Sequence, residues 1–537
     1  MNSPSGNCGA SPPARPKASR EATVRSVVPQ ALVRPLVLGA ILVFAAAIGA
    51  NSMTKEIGRD EQMYCTAGAL LSKGQMIYKD FSYPSQLPYH PLLLAALYKV
   101  LGTTHYLLVG RLVSVASDFL VVILTLLIYR SVLGPRRAEG LLFGLAAATL
   151  YVFNPFVDYA AGYAWNHDAV ILCVVLAFWL LVATDFRKGP CCLRVGFMGF
   201  FLTVATCMRV TTALVELVFL WAIFRMAGGN LRDRIRVILP FLGAALLMSL
   251  WPAWVIAQAP QAFRLNLIRI PTLYGRWLHE IGMTFSKASL TVNAVRTPGC
   301  LILLVLAVGM VWAGLQCRSN LDAQERRKAL LAALLPLVFL AIAYVPPTMW
   351  LQYLAMPVPF ITIAFVYPLL ALRRQASARD LGKRVGAFAM PVAALLSVVM
   401  GPTVLSRTVF VLIPEKWEPI RLHKISRAAM GEVKEPRRVL TLGPLYALEG
   451  GCDIYPELSS GSIVYRIVDQ MTPEERQITR TVGPGTLDQM GKARPPAAVI
   501  VGVEPSRFGF LEEPLRRIVP PDWRRQDADT LQIYLRP

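Results

Sequence analysis

Long apolar segments alternate with short polar loops along the first 400 or so residues of the chain. A membrane-spanning helix needs about 20 mostly apolar residues, and eleven segments reach or approach that length. They lie near 32–50, 106–129, 139–155, 166–184, 192–207, 209–224, 236–257, 299–316, 329–346, 351–372 and 385–404. This pattern predicts an α-helical polytopic membrane protein with about eleven spans. Arg209 interrupts the pair at 192–224, so two short helices and one broken helix are both open there.

Two of the loops between these segments are long. The first long loop, residues 51–105, contains two amphipathic helical stretches, 61–71 and 91–101, which are too short to span and are typical of the membrane interface. The second long loop, residues 258–298, is basic. It is either a surface helix resting on anionic headgroups or a site for an anionic ligand.

The chain changes character after the last apolar segment. Short apolar runs at 438–442, 497–503 and 531–535 predict strands, and 473–479 and 506–517 predict helical or loop segments between them. We therefore expect three parts: a disordered cytoplasmic tail at 1–31, a transmembrane domain at 32–404, and a small C-terminal α/β extracytoplasmic domain at 405–537.

The net charge of +22 does not indicate nucleic-acid binding, because the cations concentrate in every second short loop. That is the positive-inside pattern, which sets orientation. The basic loops are those around Arg130–Arg137, Arg187–Arg194, Arg225–Arg236, Arg318–Lys328 and Arg373–Arg384. The N-terminus is therefore expected in the cytoplasm, and both long loops and the C-terminal domain outside. The nine cysteines show no spacing typical of a disulfide framework or a zinc site.

The most unusual polar feature is the acidic pair Asp60 and Glu61, directly after the first apolar segment. Ionisable groups are costly near hydrocarbon and are often functional there, although acidic residues also suit the first turn of any helix. Helical neighbours point about 100° apart, so the two are a poor dyad. One is expected to work and the other to support it or bind a cation, while Tyr64 shares the face of Asp60.

Four other polar residues stand out. His167 and Asp168 are either an acceptor-binding pair or a helix cap with its first-turn acid. Arg209 either snorkels to the outer face, which we favour, or meets a lipid phosphate. Glu216, inside a predicted span, is a plausible ion-pair partner for it.

The first long loop resembles that of the GT-C polytopic glycosyltransferases. The resemblance rests on Asp60-Glu61-x-x-Tyr64, then Gly74-x-x-x-Tyr78-x-Asp80-Phe81, then Tyr83, Pro88 and Pro91. The residues from Ala161 to Asp168, the Tyr344–Pro347 and Tyr353–Pro359 segments, and the run from Tyr455 to Arg466 fit the same type. Protein O-mannosyltransferases, aminoarabinose transferases and rhizobial lipid A-core galacturonosyltransferases belong to this class.

The resemblance implies sugar transfer from a polyprenyl-phosphate donor to an envelope glycolipid, glycan or protein on the periplasmic face of a bacterial inner membrane. Asp60 would be the general base, with Glu61 beside it. The chain departs from aminoarabinose transferases at Gln86-Leu87-Pro88 and His90-Pro91, where they have a Lys before paired prolines. The candidate substrate-binding residues are Tyr64, Tyr83, His90, His167, Asp168, Arg269, Arg276 and Tyr353; His90, Arg269 and Arg276 would replace the missing phosphate contact.

This interpretation assigns no cofactor and no metal site, and it leaves metal dependence open. Asp60, Glu61 and Asp168 could nevertheless ligate a divalent cation. The alternative function is a transporter or flippase of lipid-linked sugars. Such proteins often have repeated halves and discontinuous midplane helices, whereas this chain shows no repeat and its polar residues lie at the outer ends of spans.

Overall fold

The computed structural model describes residues 30–537 except 135–136, 188–190, 284–285, 347 and 375–380. The predicted tail at 1–31 therefore lies almost wholly outside the described residues. Arg136, Lys188 and Arg379 of the basic loops, and Pro347 of the Tyr344–Pro347 segment, also lie outside them.

The first half of the chain is helical. Its helices are α1 (Gln30–Thr54), α2 (Arg59–Ser72), α3 (Tyr89–Leu101), α4 (Tyr106–Val132), α5 (Arg137–Val152), α6 (Pro155–Ala160), α7 (His167–Ala183), α8 (Cys192–Met208), α9 (Ala213–Met226) and α10 (Leu231–Gln258). The two amphipathic stretches predicted in the first long loop are present as α2 and α3.

The helical part continues through the second long loop to residue 408. It consists of α11 (Pro260–Arg264), a π-helical turn (Leu265–Arg269), α12 (Ile270–Glu280), α13 (Lys287–Arg296), α14 (Pro298–Gln316), α15 (Ala323–Tyr344), α16 (Pro357–Ala364), α17 (Val366–Arg374), α18 (Leu381–Met400) and α19 (Pro402–Thr408). The predicted domain boundary at 404/405 falls within α19.

Each predicted apolar segment is largely helical, although those at 139–155, 209–224, 351–372 and 385–404 extend over more than one helix. The polytopic membrane class is confirmed. Within the described residues, six helices are long and apolar enough to span: Ala31–Thr54, Tyr106–Val132, Leu231–Gln258, Pro298–Gln316, Ala323–Tyr344 and Leu351–Arg374. A seventh span is present if the helix pair Phe388–Met400 and Pro402–Leu412, which is bent by 68°, is counted as one. Three shorter apolar helices are Ala138–Val152, His167–Ala183 and Cys192–Met208.

The helix ends at Arg209, as one of the two predicted alternatives requires. Arg209 has an extended backbone, with φ −143° and ψ 103°, and ends α8. A single tight turn, Val210–Thr212, then leads into α9. The segment is therefore two short helices, with a charged residue at the break.

The basic loops meet at one end of the helical bundle. Arg187 pairs with Asp322 at 2.9 Å, and Arg374 pairs with Glu325 through both carboxylate oxygens. Arg327 donates to the carbonyl of Arg225. These contacts join four predicted cytoplasmic loops, so the structure groups them on one side.

The opposite end carries the C-terminal domain, which contains the described sheet. Its elements are α20 (Glu418–Met430), β1 (Arg438–Thr441), α21 (Pro444–Glu449), β2 (Asp453–Ile454), α22 (Ser462–Tyr465), α23 (Pro473–Thr479), α24 (Leu487–Ala493), β3 (Ala498–Val501), α25 (Glu513–Ile518), β4 (Arg524–Ala528) and β5 (Leu531–Leu535). The strand order is β2-β1-β3-β5-β4. The first three strands are parallel, and β5 runs antiparallel to both β3 and β4. The three predicted strands are present; β2 and β4 were not predicted.

Both long loops pack against this domain. One buried apolar cluster joins α2, α3 and the start of α4 to Leu422, Leu445 and Ile533. A second joins Leu273 and Trp277 of α12 to the other face of the sheet. Burying apolar surface on both faces fixes the domain over the loops. The first turn of α2, which carries the acidic pair, consequently lies at the junction of the bundle and the domain.

Candidate active site

Glu61 occupies a fully buried cluster beside the first turn of α2. Its Oε1 accepts hydrogen bonds from Arg111 Nε at 2.9 Å and from the backbone amide of Ala164 at 2.7 Å. Its Oε2 accepts from Arg111 Nη2 at 2.9 Å and from the amide of Gly58 at 2.8 Å. The last bond caps the N-terminus of α2. With four donors satisfied, Glu61 has no free lone pair directed at a substrate. These four bonds favour a supporting role for Glu61, and its assignment as a catalytic residue stays a prediction.

Arg111 connects Glu61 to the preceding chain. Its Nη1 donates to the carbonyls of Ser52 and Lys55 at 2.7 and 2.8 Å, and its Nη2 donates to that of Glu56 at 3.2 Å. These are the end of α1 and the linker into α2. One guanidinium from α4 thereby holds together α1, α2 and the loop before α7.

That loop is fixed from its other side as well. Gly162, with φ +85°, donates its amide to Asp168 Oδ2 at 2.8 Å. A Cβ at Gly162 would lie 2.9 Å from Ser52 Cα, so only glycine fits this approach to α1. Asp168 is buried in the first turn of α7 and holds its own loop, which favours the first-turn interpretation over an acceptor-binding pair. His167, also buried, lies close enough to Arg209 to feel its charge.

Asp60 has quite different surroundings. It is half-buried, and among the described residues its carboxylate makes no hydrogen bond and no ion pair. Burial raises the pKa of the Asp60 carboxyl above its usual value, and the nearby Glu61 adds to the rise, while the guanidinium groups of Arg466, Arg59 and Arg209 oppose it. Asp60 is thus a carboxylate without a fixed partner, set among cations.

Tyrosines from α2 and from three further segments lie near this carboxylate. Tyr64, Tyr159, Tyr274 and Tyr353 each lie close enough to Asp60 to feel its charge. Tyr64 lies one turn further along α2, as its spacing predicts. The ring of Tyr353 lies under the Arg209 guanidinium, 5.0 Å from centroid to carbon. The groups within electrostatic range of Asp60 therefore include four tyrosines and three guanidinium groups.

Arg209, at the break between α8 and α9, is one of the charges that act on Asp60. Its Nη1 contacts Met356 Sδ at 3.1 Å, and its described contacts include no carboxylate within ion-pair distance. The expected partner Glu216 instead accepts from Thr203 and Thr206 at 2.6 and 2.8 Å. That pairing prediction was wrong: two hydroxyls of α8 hold Glu216, and the Arg209 guanidinium contacts Met356 instead.

Arg466, in the C-terminal domain, is another of the charges that act on Asp60. Its Nε and Nη2 donate to the carbonyl and hydroxyl of Ser462, both at 2.6 Å, and its guanidinium stacks over Trp277 at 5.0 Å. Glu504 lies 3.9 Å from Arg466 but 2.9 Å from Arg59, so one carboxylate serves two arginines. Burial lowers the pKa of Arg466, and Arg59 lowers it further. The local excess of positive charge favours an incoming anion.

Tyr83 and His90 lie behind Tyr64, away from solvent. The ring of Tyr64 meets those of Tyr83 and His90 edge-on, at centroid distances of 6.0 and 5.1 Å. Burial lowers the pKa of His90 to about 3, so this imidazole is neutral at physiological pH. A neutral, fully buried ring cannot offer the charge that a phosphate contact needs. Burial and neutrality argue against His90 as a charged substitute for the missing Lys, and its role in donor binding stays a prediction.

The two basic candidates of the second long loop are separate from Asp60. Arg269, at the end of the π-helical turn, pairs with Glu475 of α23 at 3.1 Å. Arg276 lies on the exposed side of α12. Neither is among the charges that act on Asp60. Their role in donor binding stays a prediction.

The carboxylates suggested for a divalent cation do not come together. Among the described residues, Asp60, Glu61 and Asp168 do not form a group whose ligand atoms approach to within 4.8 Å of one another. Arg111 and the Gly162 amide already occupy Glu61 and Asp168.

Sequence reasoning missed Arg111 and gave no role to Arg466 or Arg59. Arg111 had a usable signal, because it is an arginine near the start of an apolar span. Arg466 had none beyond its place in a segment shared with related proteins, since only folding brings the C-terminal domain onto α2.

No protein-family model and no curated protein matches this sequence. Solved structures do match. The aminoarabinose transferase ArnT from Cupriavidus metallidurans, bound to undecaprenyl phosphate, is 13% identical with a TM-score of 0.56, and the match covers 94% of this chain and 98% of that one. The same protein in the apo state gives a TM-score of 0.57.

A second similar structure is the Archaeoglobus fulgidus oligosaccharyltransferase tethered to an acceptor peptide. It is 9% identical with a TM-score of 0.51, over 88% of this chain and 69% of that one. Both similar proteins are polytopic members of the GT-C superfamily. The chain therefore has the GT-C fold that its first-loop motif led us to expect.

Proposed function

We propose that this protein is a glycosyltransferase that moves a sugar from a polyprenyl-phosphate donor to a hydroxyl of an envelope glycolipid, glycan or protein. The observation that carries the proposal is the environment of Asp60, a carboxylate without a hydrogen-bond or ion-pair partner among the described residues. It is surrounded by Arg59, Arg209 and Arg466.

The chemistry of such a transfer matches this arrangement. Asp60 accepts the proton of the acceptor hydroxyl as its oxygen forms a bond to the anomeric carbon. The bond from that carbon to the phosphate oxygen breaks, and the lipid phosphate leaves as an anion. Fixed guanidinium groups stabilise the charge that develops on the leaving oxygen. The tyrosine hydroxyls around Asp60 are suited to hydrogen-bond the sugar.

Arg209 and Arg466 are the proposed phosphate ligands. Gln86, at the point where aminoarabinose transferases have a Lys, accepts a hydrogen bond from Asn166, which also bonds the carbonyl of Met208. The next residue is Arg209. A cation is thus available close to the position where the first-loop motif lacks one. The similar ArnT structure holds undecaprenyl phosphate, which supports a polyprenyl-phosphate donor here.

The site would lie on the periplasmic face of a bacterial inner membrane. The basic loops meet at the end of the bundle opposite the C-terminal domain, and the positive-inside rule assigns that end to the cytoplasm. Polyprenyl-phosphate sugars presented on the periplasmic leaflet could then reach Asp60 from the side of the bundle.

The test is sugar transfer by the purified protein from a panel of undecaprenyl-phosphate sugars to envelope glycolipids. Asp60→Asn keeps the shape but removes the base, so turnover should fall by about 10²–10⁴-fold while undecaprenyl phosphate still binds. Asp488→Asn, an exposed carboxylate of the C-terminal domain, is the matched control. Near-normal turnover of Asp60→Asn would show that Asp60 is not the general base.

The same purified protein, reconstituted into vesicles, distinguishes this function from the alternative, a flippase of lipid-linked sugars. Reconstituted protein that moves a fluorescent undecaprenyl-phosphate sugar between leaflets but transfers no sugar from any donor in the panel would favour transport, because movement of a lipid has no proton-abstraction step for Asp60 to assist.

A further inference from the structure

Two histidines and a glutamate meet on the side of the C-terminal domain that contacts the start of α4. His105 directly precedes α4, His423 lies on α20, and Glu449 ends α21. One ligand atom from each lies within 4.8 Å of the other two. The two imidazoles stack with their centroids 3.5 Å apart, and His423 Nδ1 lies 2.9 Å from Glu449 Oε2.

The three side chains are held in place by their surroundings. Glu449 is fully buried, and its Oε1 accepts from the backbone amide of Leu107 at 2.8 Å. The backbone amide of His105 donates to Thr103 Oγ1 at 3.1 Å, which fixes the turn into α4. His105 Nδ1 is buried and has no hydrogen-bond partner among the described residues. A buried imidazole nitrogen without a partner is costly unless something binds it.

We propose that His105, His423 and Glu449 bind a Zn²⁺ ion that joins the start of α4 to the C-terminal domain. Two imidazoles and one carboxylate, with water in the fourth position, are a donor set that zinc uses in proteins. Tetrahedral ligands at about 2.0–2.2 Å from zinc lie about 3.4 Å apart. The donor atoms lie within 4.8 Å of one another, and binding requires the two stacked imidazoles to turn so that a nitrogen of each faces the ion. The hydrogen bond between Glu449 and Leu107 orients the carboxylate as an outer contact commonly does.

The site is independent of the proposed sugar transfer. It involves none of the residues around Asp60, and its ligands come from the first long loop and from two helices of the C-terminal domain. The proposed effect of the ion is on the stability of the fold. The ion holds the domain over α2 and α4, and because only the folded state brings the ligands together, its binding stabilises that state.

One neighbouring charge opposes the ion. Arg427, one turn beyond His423 on α20, acts on the charge of His105. Arg427 is exposed, so solvent weakens its effect. Replacing it by a neutral residue should tighten zinc binding, whereas a merely structural His–Glu pair would give no such response.

The experiment measures zinc in the full-length protein, purified in detergent, stripped with EDTA and dialysed against Zn²⁺. The wild type should take up about one ion per chain with a rise in Tm that EDTA reverses. His105→Ala and Glu449→Gln should lose at least about 100-fold in affinity, since even outer-contact changes cost about 10–100-fold. His279→Ala, an exposed histidine on α12, is the matched control, and Arg427→Gln should bind zinc more tightly than the wild type.

Glu449→Gln keeps the acceptor for the Leu107 amide, so it tests ligation even if His423→Ala fails to fold. Wild-type protein that binds no more zinc than His105→Ala, with an EDTA-insensitive Tm, would overturn the proposal. Equal loss of zinc in His279→Ala and His105→Ala would do the same, because binding would then be unrelated to this cluster.

Discussion

Arg111 and Glu61 form a two-point ion pair, with both N–O distances 2.9 Å and neither side chain exposed. This pair decides how the two adjacent carboxylates differ. Because helical neighbours point about 100° apart, fixing Glu61 against α4 directs Asp60 to the other side of α2, toward Arg209 and Arg466. Glu61 thus stabilises the fold, whereas Asp60 is the proposed catalytic base.

Stability should separate the two carboxylates. Breaking a buried ion pair leaves an uncompensated charge and costs about 3–5 kcal/mol, so Glu61→Gln should lower Tm sharply. For Asp60 the folded-state pKa is raised, so stability falls as the pH rises from the ordinary aspartate pKa to the raised one, and ionised Asp60 disfavours the folded state at higher pH. Asp60→Asn should therefore leave Tm at neutral pH unchanged or higher. Thermal melting of both variants in detergent checks this, and a lower Tm for Asp60→Asn than for Glu61→Gln would reverse the assignment.

Donor binding should depend on the two arginines beside Asp60. Losing a charge-assisted hydrogen bond costs about 1.5–3 kcal/mol, roughly tenfold or more in affinity. Arg209→Gln and Arg466→Gln should each weaken binding of undecaprenyl phosphate by that amount, measured by titration of the purified protein. Arg276→Gln, with its exposed side chain, is the comparison. An effect confined to Arg269→Gln and Arg276→Gln would return the phosphate site to the second long loop.

The pH dependence of transfer should report Asp60. A general base works only when ionised, so kcat/KM should rise with pH as Asp60 loses its proton, above the usual range near pH 3.9 because burial raises this pKa. Arg466 lowers the same pKa, so Arg466→Gln should move the acid limb to higher pH. A limb that stays in place in Arg466→Gln would show that another group titrates.

Orientation is testable with two engineered cysteines. Ser506, in the C-terminal domain, and Ser319, between α14 and α15, are both exposed and are expected on opposite sides of the membrane. In a background without Cys8, Cys191 and Cys192, an impermeant thiol reagent should label Ser506→Cys in cells with a permeabilised outer membrane. Ser319→Cys should react only after lysis. Labelling with the reverse pattern would invert the topology and remove the periplasmic donor assignment.

The sequence by itself determined the membrane class, the eleven helical segments, α2 and α3 in the first long loop, and three of the five strands. These are local properties: a run of apolar residues must satisfy its backbone internally, and an amphipathic run must bury one face. Two strands were not predicted from the sequence: β2 has only two residues, and β4 is a mostly exposed, polar edge strand.

Only the tertiary structure decided what each polar residue does. Adjacent in sequence and equal in charge, Asp60 and Glu61 differ because Arg111 and the Ala164 amide reach just one of them. Arg209 and Arg466 meet near Asp60 because a helix break and a C-terminal domain bring them there, and His105 meets His423 and Glu449 for the same reason. The charge state and partners of a side chain depend on burial and on neighbours from distant segments. No local pattern of residues contains that information.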